Sequence, residues 1–104
     1  MKQKNINNVP RLVVFRSNNN IFAQLVDDEN NNTILSVSSI DMKLKGAIEK
    51  AKSKIEKSNI VGNTIAEKMK KANIDKIIFD RNGYKYHGRI KAVAEAIRSL
   101  EIQI

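Results

Sequence analysis

The chain is 104 residues long, and its nineteen Lys and Arg against eleven Asp and Glu give a net charge of +8. It has no cysteine, which excludes zinc fingers and disulfide frameworks and fits a reducing compartment. The length suffices for one domain with its own core, no apolar run approaches a membrane span, and residues 1–10 hold no hydrophobic signal segment, so the sequence reads as soluble and intracellular.

Residues 1–10 are polar, Asn-rich and closed by Pro10, and read as a flexible arm carrying Lys2 and Lys4 ahead of a single domain at 11–104. Arg11 to Arg16 reads as a strand, and Ser17-Asn-Asn-Asn20 as a turn, because Asn tolerates positive φ and bonds its own backbone. Ile21 to Asp27 is a second strand, 28–32 a second turn, and Thr33 to Ser39 a third strand, which together predict an antiparallel meander. The alternation gives this sheet a wholly apolar face of Leu12, Val14, Ile21, Ala23, Leu25, Leu35 and Val37. The opposite face is mixed, with Arg11, Val13, Phe15, Phe22, Gln24, Ser36 and Ser38. Helices are expected to cover the first face, leaving the second for solvent or a polar partner.

Asp41 to Lys52 is a Lys-rich, partly helical connection. Ser53-Lys-Ile-Glu56 is a capping-box pattern, and Ile55, Gly62, Ile65, Ala66, Met69 and Ala72 follow near helical spacing, so a helix is expected over 54–72. Gly62 weakens a helix interior unless something approaches it closely. Asp75 to Phe79 reads as a short, buried fourth strand reached by a crossover. A last helix is expected over Arg89 to Leu100 with Ile90, Val93, Ala94 and Ile97 inward, and Ile102 and Ile104 closing the chain. The order is β-β-β-α-β-α, an α/β chain of α+β character, and this order also opens ribonuclease-H-like folds.

A net positive charge suits a polyanionic partner, RNA or DNA being the commonest, and by itself suits a merely basic, soluble surface equally well. Catalysis has little support, since one His, no Cys and no HExxH, GxSxG or P-loop pattern are present. Asp27, Asp28 and Glu29 form an acidic cluster that a Mg²⁺-dependent nuclease would need joined to Asp80, but a strand end before an Asn-rich turn is ordinary ground for solvated charge. His87 has no identifiable partner and fits a hydrogen bond to backbone or phosphate better than general base work.

The richest segment is the loop before the last helix, where Arg81, Gly83, Tyr84, Lys85, Tyr86, His87, Gly88 and Arg89 follow Asp80 at once. Cations meet phosphates, tyrosines meet bases or riboses, and glycines admit close backbone approach. Arg89 falls in the first turn of the last helix, where free amides attract phosphate. One tyrosine is expected to be structural and the other to face a partner.

The segment Asp80-Arg-Asn-Gly-Tyr-Lys-Tyr-His-Gly-Arg-Ile-Lys-Ala-Val-Ala94 resembles the large-subunit ribosomal protein eighteen family of bacterial type, with its D-R-G-G-Y-x-Y-H-G-R-V-K-A-L-A-like run. Pro10 to Asn18 with Ile21 to Asp28 is similar to that family's first hairpin, and Val61 to Lys68 to its first long helix, so the likeness runs from Pro10 to the end. It implies a mixed four-stranded sheet with helices packed on one face, the architecture of a translational-machinery component, and a structural, non-catalytic role without cofactor or metal. It further implies a ribosome-bound protein, cytoplasmic or organellar, that binds 5S rRNA and helps attach it to 23S rRNA in the central protuberance, near ribosomal protein five.

Carried over residue by residue, the expected rRNA contacts are Arg11, Arg16, Ser17, Asn18, Asn19 and Asn20 of the hairpin, and Arg81, Lys85, His87, Arg89 and Lys91 of the loop and helix start. Phe22, Gln24, Tyr84 and Tyr86 are expected at riboses or bases. The sequence departs from the family in three places. The N-terminal arm is shorter and poorer in Arg, which predicts weaker binding of the free protein. Asn82 replaces a glycine but tolerates positive φ. Glu101 stands where a helix-ending glycine is usual, so the last helix is expected to stop differently. A free RNA-binding module acting off the ribosome is the competing non-enzymatic reading.

Overall fold

A computed structural model describes residues 9–104 of the chain, so the expected arm at 1–10 lies almost wholly outside the described residues. Three strands, β1 (Arg11–Arg16), β2 (Ile21–Asp27) and β3 (Asn32–Ser38), form the meander, with β1 and β3 antiparallel to β2. A 3₁₀ turn at Met42–Leu44 and a short helix α1 (Lys45–Lys50) lead to α2 (Lys54–Lys71). β4 (Ile78–Asp80) follows and joins β1 in parallel, which makes a mixed four-stranded sheet in the order β3-β2-β1-β4. Helix α3 (Gly88–Ser99) completes an α+β fold.

The alternation of each strand explains the layering. Leu12, Val14, Ile21, Ala23, Leu25 and Val37 are buried, with Leu35 half-buried beside them. Helices α2 and α3 cover this face with Val61, Ile65, Ala66, Met69, Ile90, Val93 and Ile97. The β2–β3 register slips between Leu25 and Val26, which face Leu35 and Thr33 and leave Ile34 unopposed and exposed. That extra residue is a β-bulge.

Helix α2 starts where the capping pattern predicts. Ser53 Oγ accepts the Glu56 N–H at 3.1 Å, while the Glu56 carboxylate reaches one residue further back, to the Lys52 N–H at 3.0 Å. The buried stripe begins at Ser58 rather than Ile55, which is 41% exposed. Ala72, expected inward, is the exposed C-cap, and Asn73 ends the helix at φ 61°. Both residues lie in the terminal turns of α2.

The fourth strand differs more. Asp75 to Phe79 was expected to be fully buried, but pairing with β1 covers only Ile78–Asp80, at the sheet edge, and Ile78 is 53% exposed. Ile77, buried, turns instead to the C-terminal segment, where its N–H donates to the Gln103 carbonyl at 2.9 Å and the Gln103 N–H donates to Asp75 at 2.8 Å. Three apolar residues in a row read alike whether a strand is buried on both faces or on one, and this strand is buried on one.

Helix α3 buries Ile90, Val93, Ala94 and Ile97 as its periodicity predicts, and Ile102 seals the core behind it. The helix ends in the ordinary left-handed manner even though a glutamate fills the position: Glu101 takes φ 65° and its N–H donates to the Arg98 carbonyl at 2.9 Å. The expected difference in the helix stop is therefore absent from the backbone.

Gly62 sits where α2 meets α3. A Cβ there would lie 2.8 Å from both the Ala96 Cβ and the Val93 carbonyl oxygen. Gly62→Ala should therefore destabilise by about 1–3 kcal/mol through overpacking, against the ~1 kcal/mol by which alanine favours a helix. Gly46→Ala, where a Cβ meets nothing within 4 Å, should instead stabilise slightly. Urea midpoints of the two variants check the opposite signs.

Candidate nucleic-acid interface

With α2 and α3 on one face, no helix among the described residues covers the other face of the sheet. Phe15 and Phe22 face each other across β1 and β2 and stack, with centroids 5.0 Å apart and planes 11° from parallel. Gln24 pairs with Val13 on one side and Ser36 on the other, and Ser38 lies beside Phe22. Phe22 and Gln24 were expected here. Phe15 was not named as a contact, although the alternation already placed it on this face. What singles it out is register: only cross-strand pairing makes Phe15 and Phe22 one aromatic plate.

The loop after β4 closes on the β1–β2 hairpin through two side chains. The Tyr84 hydroxyl accepts the Arg16 N–H at 3.3 Å and donates to the Arg16 carbonyl at 3.2 Å. The Arg16 guanidinium lies over the Tyr84 ring, 4.9 Å from its centroid. Arg89, half-buried at the start of α3, donates from Nη1 to the carbonyls of Ser17 at 3.1 Å and Asn18 at 3.3 Å. Hairpin and loop, far apart in sequence, thus form one surface. Burial and then the nearby Arg16 charge lower the Arg89 pKa below the ordinary arginine value. Two cations are held close here, and the hydrogen bonds that hold Arg89 come from backbone carbonyls rather than carboxylates.

The turn itself is built differently from the expectation. None of Asn18, Asn19 and Asn20 has positive φ; that conformation falls to Asn31 in the next turn and to Asn82 and Gly83 in the loop. Ser17 N–H donates to the Asn20 carbonyl at 2.9 Å. The Asn20 side chain accepts from Ser39 Oγ at 3.0 Å, and Ser39 is buried. Asn20 is therefore a structural residue, while Ser17, Asn18 and Asn19 are exposed at the tip.

Both tyrosines carry internal contacts, against the expectation of one structural and one outward-facing. Tyr84 holds the hairpin, and Tyr86 packs edge-on to Phe79 at 6.5 Å and accepts from Arg98 Nη1 at 3.0 Å. Arg81, Lys85 and His87 are exposed. His87 is the N-cap residue of α3 and makes no side-chain cap bond to the first-turn amides. Lys91 is exposed and approaches Glu95 at 3.9 Å, a weak pair at helical spacing.

Arg11 was expected at rRNA, and the structure gives it an internal task. Its Nε and Nη2 each donate to Asp28 at 2.9 Å and its Nη1 donates to Asp80, tying β1 to the β2–β3 turn and to the end of β4. The same carboxylate of Asp80 accepts the Asn82 N–H at 2.8 Å and so shapes the loop. The Asp27 carboxylate is also used locally, accepting the N–H of Glu29 and the side-chain amide of Asn30. The two carboxylates a nuclease would need are thus engaged elsewhere, and no group of three potential metal ligands is found among the described residues.

The result is a small α+β domain with one helix-covered sheet face and with Arg16, Lys85 and Arg89 on the hairpin and loop beside the other. The chain belongs to the family of ribosomal L18 of archaea, bacteria, mitochondria and chloroplasts, which matches residues 1–104. It is a ribosomal protein, a structural component and not an enzyme. It is 56% identical over 89 residues to the large ribosomal subunit protein uL18 of Fusobacterium nucleatum, covering 86% of this chain and 72% of that one. The protein of the same name from Herpetosiphon aurantiacus is 51% identical, over 86% of this chain and 73% of its own length. That from Methylobacterium radiotolerans is 50% identical, over 88% and 76%. These bacterial relatives are components of the large subunit of the cytoplasmic ribosome.

Two predictions follow from this geometry. Tyr84→Phe removes both hydrogen bonds to Arg16 and should cost about 0.5–1.5 kcal/mol. The Arg16 amide should then exchange with solvent faster than amides in the middle of β1, as read by hydrogen exchange. Equal exchange in both proteins sinks the latch.

The second concerns acid. The Asn82 N–H and then Arg11 hold the Asp80 carboxyl below its ordinary 3.8, and the Arg11 hydrogen bonds do the same for Asp28. A depressed folded-state value means that the stabilisation is complete above the unfolded value and is lost as pH falls through the folded one. Stability should therefore decline below about pH 4, and Asp80→Asn should flatten that decline in urea melts at stepped pH.

Proposed function

We propose that this chain is a structural constituent of the large ribosomal subunit that binds 5S rRNA and helps attach it to 23S rRNA in the central protuberance, beside proteins such as ribosomal protein five. The observation that carries the reading is the union of hairpin and loop by Tyr84 and Arg89 at the edge of the open sheet face. It turns scattered cations into one surface with Arg16, Lys85 and Arg89 around the uncapped start of α3, which suits phosphates. The Phe15–Phe22 plate and Gln24 are suited to riboses and bases of folded RNA, whose shape supplies most of the specificity.

The site residues divide by role in this reading. Arg16, Arg81, Lys85, His87 and Lys91 meet RNA directly, with Ser17, Asn18 and Asn19 at the hairpin tip. Arg89 and Tyr84 hold the surface in shape, and Asn20 holds the hairpin. Tyr86 steadies the loop against Phe79.

Purified chain titrated with 5S rRNA and with a tRNA, across a salt series, tests this. Selective 5S binding is expected, with a slope of log K on log salt of about −5 if some six phosphates are neutralised. Arg81→Ala should weaken it without changing the melting temperature. Equal affinity for both RNAs overturns the 5S assignment.

A further inference from the structure

A hollow of about 450 Å³ opens at the sheet edge, between β4 and the turn after it. Its size falls in the range of small-ligand sites, roughly 300–1,000 Å³. Its walls differ in character. Arg11 forms one, with its guanidinium held in plane: Nε and Nη2 donate to both oxygens of Asp28 at 2.9 Å, and Nη1 donates to Asp80. One cation between two carboxylates leaves this wall net negative, so it does not draw a phosphate. What it offers is a fixed flat face, the surface on which nucleobases stack.

Ile78 stands beside Arg11, its partner in the β1–β4 register, and is 53% exposed. It is an exposed aliphatic surface in a lining that also includes the rings of Phe79 and Tyr84. Arg81 also lines the hollow, exposed and without an ion pair or side-chain hydrogen bond among the described residues. The Asn82–Gly83 turn continues the lining. Gly83 has φ 83° and nothing within 4 Å of where a Cβ would be, so its backbone is open to a ligand. The hollow thus combines a flat plate, an apolar side, an open peptide and one free cation.

We propose that this hollow holds a single unstacked RNA nucleotide, its base laid on the Arg11 guanidinium beside Ile78 and its phosphate on Arg81. The proposal rests on the RNA-binding reading and narrows it to one subsite. It also gives Arg11 an RNA-facing role that does not conflict with its two carboxylate partners: the edge is spent on Asp28 and Asp80, and the face remains.

The test uses the full chain with Ile methyl and backbone amide labels, observed by NMR. The four nucleoside 5′-monophosphates, ribose 5-phosphate and inorganic phosphate are titrated separately. At least one nucleotide should shift the Ile78 methyl and Gly83 amide with an affinity about tenfold above that of ribose 5-phosphate, the contribution of one stacked base. Arg11→Lys, which keeps the charge but loses the plane, should abolish that advantage. Ile78→Ala, at an exposed position, should reduce it and serves if Arg11→Lys fails to fold. Ribose 5-phosphate matching the nucleotides overturns the base site and leaves an anion site only. Adding 5S rRNA then separates the two readings. If the hairpin and Lys85 amides respond while Ile78 and Gly83 do not, the subsite fails and RNA binding stands. If no resonance responds, RNA binding fails and the subsite with it.

Discussion

Two helices can lie side by side on one face of a narrow sheet only if their backbones come close, and Gly62 is where they do. The contact of its bare Cα with Val93 and Ala96 sets the separation of α2 and α3. That separation decides how much of the sheet the helices cover. Val61, Ile65 and Met69 from one helix and Ile90, Val93 and Ile97 from the other then reach the same apolar face. Among the described residues no helix covers the opposite face, where the aromatic pair lies. The close approach of α3 is why a glycine inside an 18-residue helix is tolerated.

The charges divide into two kinds that composition cannot separate. Arg11 is bound to Asp28 and Asp80 and works inside the domain, fastening three elements at the sheet's end. Arg16 and Arg89 are gathered at the other end of β1 and are held by an aromatic ring and by backbone carbonyls. Mutual repulsion between them is a cost in the isolated protein, and an anionic partner relieves it. A net charge of +8 says that polyanions are favoured; the pairing pattern says which cations remain for them.

The loop from Asp80 to Gly88 shows how position is built from small constraints. Asp80 accepts the Asn82 N–H, Asn82 and Gly83 take positive φ, Tyr84 reaches the hairpin, and Tyr86 rests on Phe79. Asp80, Tyr84 and Tyr86 are fastenings, and they fix the backbone that carries the exposed Arg81, Lys85 and His87. A surface that must fit folded RNA gains from this, since side chains already fixed lose little freedom on binding.

Much of this was written in the residues themselves. β1 and β2 followed from period-two alternation, α3 from its apolar spacing, and the start of α2 from Ser53 and Glu56. These are local signals, each decided within a few residues by backbone geometry and one-sided burial. The family likeness of the 80–94 segment was equally a property of the chain alone. The errors arose where a distant element intervened. Ile77 turned to Gln103 and Ile78 faced outward because β4 took the sheet edge. The two carboxylate partners of Arg11 lie 17 and 69 residues away and meet it only in the fold. The stacking of Phe15 on Phe22 and the latch of Tyr84 on Arg16 have the same origin. The sequence by itself determined which segments are strands or helices, which sides are apolar, and the family. Only the tertiary structure decided which polar side chains pair with one another and which are left for a partner, because hydrogen bonds and ion pairs act over a few ångströms and only folding brings those groups together.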